Sequence, residues 1–238
     1  MFITKYIPNA ITSLNLICGV IGIWFTLAMG DCIIGFNFML LAMVFDFCDG
    51  LAARLLGAYS EVGKELDSLA DMVSFGVLPA CMMASTYLSL SSKVFWLAWI
   101  PVLIAVFSAL RLAKFNLDER QHKSFLGLPT PACAIVCGSA CCIIALARSA
   151  FMQSAWFIPT LSVILCCLLV SNIPMFSFKF SKEDKTDSIL KMKRYAFVSI
   201  SAITIVVMCL SALPWQALLF GVFTVYIVIN LLFALFRI

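Results

Sequence analysis

Apolar residues in this chain neither alternate nor return every third or fourth position. They run on for about twenty residues at a time, separated by short polar interruptions. Runs of that kind predict helices that are apolar all round, the form needed where no water is present to satisfy the backbone. About twenty helical residues cross the roughly 30 Å hydrocarbon layer of a bilayer. The runs predict spans near 10–30, 32–56, 65–90, 94–113, 131–147, 155–171, 195–212 and 214–236. The expected fold class is therefore all-α, a polytopic integral membrane bundle of about eight transmembrane helices forming a single membrane domain over 1–238. The first run follows a lone Lys5 and leads to no small-residue cleavage pattern, so it is expected to be a retained span.

Composition strengthens this picture, with 63% hydrophobic and 12% charged residues, which excludes a soluble globular domain. Charge adds an orientation. Of the 16 Lys and Arg residues, all but Lys93 and Arg148 fall on one side if the N-terminus is cytoplasmic, as the excess of basic residues in cytoplasmic loops requires. Both termini are then cytoplasmic, and the net charge of +4 is a topological signal that implies no nucleic-acid partner. The basic connector 177–194 reads as an interfacial loop or short amphipathic helix near lipid head groups. Nearly all of the 11 cysteines lie inside predicted spans and read as small packing residues. The single histidine, His122, stands between Gln121 and Lys123 and reads as solvated.

Against that apolar background, the segment 45–76 carries Asp46, Asp49, Asp67 and Asp71. An ionisable side chain inside a span costs several kcal/mol and marks a functional site by default. Asp46 and Asp49 share a helix face at i, i+3, and Asp67 and Asp71 share one at i, i+4. The stretch between them, with Gly57, Ser60 and Gly63, reads as a cytoplasmic turn joining two antiparallel neighbouring helices, so the two pairs face each other just below the membrane surface. No Lys or Arg within these spans offsets four close carboxylates, whereas divalent cations would, and oxygen-only ligands favour Mg²⁺, Mn²⁺ or Ca²⁺ over zinc. A paired metal site suits phosphoryl chemistry. Gly50 leaves room for a ligand directly after Asp49, and Arg54, one turn on, can grip a phosphate through its planar fork.

The run from Asp46 and Asp49-Gly50 through Ala53-Arg54, followed by Gly63, Asp67 and Asp71, resembles the signature of the CDP-alcohol phosphotransferases at every fixed position. The resemblance implies a helical membrane enzyme that transfers a phosphatidyl-type group from a CDP-linked lipid to an alcohol and releases CMP. It implies that Asp46, Asp49, Asp67 and Asp71 hold two metal ions, Mg²⁺ or Mn²⁺, and that Asp71 is also the catalytic base. Gly50, Arg54 and Ser60 would contact the CDP group, joined by Asn9 and Thr12 from the "PNAIT" stretch at the start of the first span. A homodimer is implied as well.

The same stretch, with "PNAITSLNLICGV", "ALRLAKFN…FLGLPTPA" and "VSNIPMFSFK", is similar to the type II, membrane-integral phosphatidylserine synthases. That implies CDP-diacylglycerol as donor, L-serine as acceptor, a catalytic core over about 8–171, two additional C-terminal spans over about 195–236, and a site on the cytoplasmic face of the inner membrane. Arg111 and Lys114 end the fourth span level with the acids, where they can meet a serine carboxylate or a lipid phosphate, or serve as ordinary membrane anchors. The "FLGLPTPA" turn, with Gly127 and two prolines, can cap the acceptor pocket. Glycerol 3-phosphate or an inositol phosphate as acceptor would call for a denser basic pocket. A divalent-cation transporter would place its acids near the bilayer midplane on broken helices.

Overall fold

A computed structural model describes residues 6–90, 94–117, 125–147, 151–176, 188–211 and 213–235. His122, Lys93, Arg148 and the connector up to residue 187 lie outside the described residues, so the expectations placed on them have no structural counterpart here. The protein is an all-α polytopic membrane protein. Among the described residues, seven helical stretches are long and apolar enough to cross a bilayer, and an eighth apolar helix is shorter.

Helix α1 (Tyr6–Ala28) and α2 (Cys32–Leu56) form an antiparallel hairpin that packs along its whole length. Close approach is permitted where Gly22 and Gly35 meet: a Cβ on either would come within 3.2 Å of the other's carbonyl oxygen. Asp31 caps α2, its carboxylate accepting from the Ile33 and Ile34 N–H groups at 2.9 Å. Gly57 ends the helix in the left-handed region at φ 58°, a conformation costly for any residue with a Cβ.

The third span departs from the single helix expected over 65–90. It consists of α3 (Glu61–Asp71), one wide π turn (Met72–Val77) and α4 (Leu78–Ser89). Pro79 has no N–H to offer the carbonyl four residues back, so the regular ladder cannot run through this point. The wide turn falls directly after Asp71, and π turns recur beside functional sites. The fourth span likewise opens as a tight 3₁₀ segment (Phe95–Val102) containing Pro101 before becoming α5 (Leu103–Leu117).

Helix α6 (Thr130–Ala147) is the central post of the bundle, buried nearly all round. Cys133, Cys137, Cys141 and Cys142 are free and buried within it, as small packing residues would be. Helix α7 (Phe157–Val170) has 14 residues and is about 21 Å long, too short for the full span expected over 155–171. Turns at 151–156 precede it. Two short strands, β1 (Phe125–Leu126) and β2 (Pro174–Met175), pair antiparallel and tie together the loops that enter α6 and leave α7. Helices α8 (Ser188–Leu210) and α9 (Trp215–Leu235) pack on each other, and α9 docks on α6.

Candidate active site

Helix α1 organises the acidic region. It packs against α2 on one side and against α3 and the π turn on the other, while the backbones of α2 and α3 barely approach each other. The two acid-bearing helices are therefore not close-packed neighbours, as their connection suggested; they are splayed, with the N-terminal turns of α1 closing one side of the gap. The gap is a cleft of about 390 Å³, lined among others by Asn9, Thr12, Asp49, Gly50, Arg54, Ser60 and Asp67.

Carboxylate oxygens of Asp46, Asp49 and Asp67 all lie within 4.8 Å of one another. Asp49 is buried, at 5% exposure. Two unit charges at that separation repel by about 3.5 kcal/mol at an effective dielectric constant near 20. The group is therefore unstable with all three ionised unless a counter-charge joins it. Asp49 Oδ2 and Asp67 Oδ1 are buried and find no hydrogen-bond partner among the described residues. Three carboxylates this close, two of them with an orphaned oxygen and with no nitrogen or sulfur in the group, fit a hard divalent cation.

Asp71 stands one turn beyond Asp67 and outside this trio. Its Oδ1 accepts from Asn15 Nδ2 at 3.3 Å, and Asn15 is itself fully buried on α1. Ser74, in the π turn, donates to the Asn15 carbonyl at 3.1 Å, so the wide turn and α1 are fastened together beside Asp71. Asn15 was not among the residues singled out from the sequence. Its signal was its place three residues after Thr12, a second polar group on one face of an apolar span.

Around the cleft, Arg54 folds back along its own helix, Nε donating to the Gly50 carbonyl at 2.9 Å. A Cβ on Gly50 would meet only the Arg54 guanidinium, at 3.8 Å, so the space above Gly50 is open cleft. Ser60 caps α3 by accepting from the Gly63 N–H at 3.0 Å. Gly63 has no such freedom: a Cβ there would come 2.7 Å from Asn9 Oδ1. Tyr59 and Lys64 also line the cleft. Lys64 had been read only as a topological charge, although its position three residues before Asp67 puts both on one helix face.

Arg111 and Lys114 do not line this cleft. Arg111 is buried, donates from Nη1 to Thr130 Oγ1 at 3.1 Å, and lies 5.2 Å from the centre of the Phe115 ring. It is within electrostatic reach of Asp71 and Tyr226. A neighbouring span thus brings a buried cation within reach of Asp71. Lys114 donates to Asn172 Oδ1 at 2.9 Å.

The model of the CDP-alcohol phosphatidyltransferase family matches residues 5–165. The chain belongs to that family. Among curated relatives of this phosphatidyltransferase, a Bacillus subtilis protein is 39% identical over 131 residues, covering 53% of this chain and 70% of the relative. A Mycobacterium tuberculosis protein is 36% identical over 180 residues, 72% of this chain, and the chain spans 61% of that relative's length. A Helicobacter pylori protein is 29% identical over 235 residues, 97% of this chain and 93% of the relative. All three carry the name CDP-diacylglycerol--serine O-phosphatidyltransferase. The phosphatidyltransferase match covers α1 to α6 and most of α7, so the cleft, the acids, Arg111 and Lys114 all fall inside it.

Proposed function

We propose that this phosphatidyltransferase moves the phosphatidyl group of CDP-diacylglycerol to L-serine, giving phosphatidylserine and CMP, at a site facing the cytoplasm from the inner membrane. The observation that carries the reading is the juxtaposition of three close carboxylates, two of them with an orphaned oxygen, and an open cleft floored by Gly50 and flanked by Arg54. The names of the relatives support serine as the acceptor. The basic-residue asymmetry supports the orientation, with both termini cytoplasmic.

The donor lipid keeps its acyl chains in the bilayer while its diphosphate enters the cleft. Arg54 holds the diphosphate, the missing side chain at Gly50 lets it approach the helix, and Asn9, Thr12 and Ser60 line the same cleft. Asp46, Asp49, Asp67 and Asp71 are the residues that would hold two divalent cations, Mg²⁺ or Mn²⁺. Such cations supply neutralisation of the diphosphate and stabilisation of CMP as the leaving group. Asn15 engages one oxygen of Asp71 and orients its carboxylate, which takes the proton from the serine hydroxyl. The serine oxygen then bonds to the phosphorus that carries diacylglycerol, and the bond from that phosphorus to the CMP oxygen breaks. Arg111 and Lys114 meet the serine carboxylate. Positioning and charge neutralisation carry most of the rate, as in other phosphoryl transfers.

In this reading the catalytic core is residues 8–171, α8 and α9 are an addition to it, and the protein works as a homodimer in contact with membrane lipids. Purified protein with CDP-diacylglycerol and Mg²⁺ or Mn²⁺ should release CMP on addition of serine, and not on addition of glycerol 3-phosphate or an inositol phosphate. Release with one of those acceptors and not with serine would move the acceptor assignment.

A further inference from the structure

Helix α9 lies beyond the part of the chain that the family model matches, yet it carries two buried polar side chains aimed at one residue. Tyr226 and Asn230 are 6% and 1% exposed. Asn230 Oδ1 accepts from the Phe176 N–H at 3.0 Å, and the Tyr226 hydroxyl donates to the Phe176 carbonyl at 3.0 Å. Asn230 Nδ2 donates in turn to the Tyr226 carbonyl at 2.8 Å. Both backbone groups of Phe176 are thus held by one helix. The Phe176 ring packs edge-on against Tyr226 and Phe197, with centroids 5.1 and 5.7 Å away.

Phe176 ends a strap, residues 171–176, that leads back to the proposed acceptor side. Within it, Ile173 accepts from the Gly127 N–H at 2.9 Å, Pro174 and Met175 pair with the loop that enters α6, and Asn172 accepts from Lys114. The loop runs on to Thr130, which accepts from Arg111. Tyr226 is itself within electrostatic reach of Arg111. Both cations on the acceptor side are therefore tethered to loops whose far end α9 clamps. Apolar packing alone would dock a helix on α6; an amide buried within a membrane bundle costs free energy unless it is hydrogen-bonded, and the Asn230 amide meets that cost through the strap at one end and the Tyr226 carbonyl at the other.

We propose that Tyr226 and Asn230 are positioning residues for the acceptor, fixing the strap that holds Asn172 against Lys114. This rests on the reading of Lys114 and Arg111 as the residues that meet serine. The test compares wild type, Tyr226→Phe, Asn230→Ala and Lys114→Ala in detergent with CDP-diacylglycerol, serine and Mg²⁺ or Mn²⁺. Loss of one strap hydrogen bond should raise the serine KM about fivefold in Tyr226→Phe and Asn230→Ala, leaving the CDP-diacylglycerol KM and kcat near wild type. In a Lys114→Ala background, Tyr226→Phe should raise the serine KM by clearly less than it does in wild type, because only the tether to Arg111 is left. An unchanged serine KM with a lower kcat, equal rises in both KM values, or a full wild-type-sized effect on top of Lys114→Ala would each overturn the proposal. If Asn230→Ala does not fold, Tyr226→Phe, which deletes one hydroxyl, decides alone. A wild type that releases CMP only with another acceptor fails the functional reading itself, a result distinct from unchanged variant kinetics.

Discussion

Gly50 offers a test in which stability and activity part company. A Cβ at this position enters open cleft, so Gly50→Ala should fold at least as well as wild type, with up to about 1 kcal/mol of helix propensity gained. The same methyl stands where the proposed function brings the diphosphate, so the CDP-diacylglycerol KM should rise by about tenfold, the equivalent of about 1.4 kcal/mol of lost binding. Thermal unfolding and donor kinetics on one preparation check both halves; a stabilised variant with an unchanged donor KM would remove Gly50 from the site. Asn15→Leu should lower kcat without raising the donor KM, because Asn15 touches Asp71 and does not line the cleft. Equal loss through both parameters would reduce Asn15 to a packing residue. At this scale the acids were legible because an ionisable group in an apolar run has so few bland explanations. Asn15, Tyr59 and Lys64 were not, since an amide, a phenol and a surface cation each have ordinary uses in a membrane helix and only their neighbours give them another.

Among the elements, the turn from α2 to α3 carries the site's wall and its own stability in the same residues. Ser60 is both a cleft residue and the cap of α3, so Ser60→Ala should cost about 1 kcal/mol of stability, whereas Ser60→Asp keeps a capping oxygen. Ser60→Asp should therefore retain the melting temperature but weaken the donor, because it adds a negative charge to the cleft proposed to take the diphosphate. Wild-type donor affinity in Ser60→Asp would leave Ser60 with the cap alone. Gly127 is held at φ 77°, and a Cβ there would lie 2.6 Å from the Leu169 carbonyl oxygen. Gly127→Ala should destabilise by about 2 kcal/mol or more and is checked by the yield of folded protein and its melting temperature. The long spans were legible from unbroken apolar runs. The π turn, the 3₁₀ opening and the short α7 were not, because hydropathy measures solubility in lipid and is blind to a missing N–H at Pro79 or Pro101. The splay of α2 and α3 escaped for another reason: the sequence places them next to each other, and only packing shows α1 lodged against both.

For the molecule as a whole, catalysis is assigned to one end of a bundle whose deeper part is apolar packing around α6. The hairpin of α1 and α2 brings residues about forty positions apart into the lining of one cleft. Helix α5 delivers Arg111 to the acids from a separate span, and α9 fastens the strap beyond it. Removal of divalent metal should destabilise this end of the molecule, since three close carboxylates then repel without a counter-charge. Added Mg²⁺ or Mn²⁺ should raise the melting temperature of wild type and not that of an Asp46→Asn, Asp49→Asn double variant. An equal rise in both would place the effect elsewhere. The central claim, that these carboxylates carry phosphatidyl transfer to serine, is tested most directly by serine-dependent CMP release from CDP-diacylglycerol, measured for wild type and Asp71→Asn with Mg²⁺ and with chelator. Release by wild type with Mg²⁺ alone, and none from the folded Asp71→Asn protein, is the predicted result; turnover in chelator, or appreciable turnover by Asp71→Asn, would contradict it.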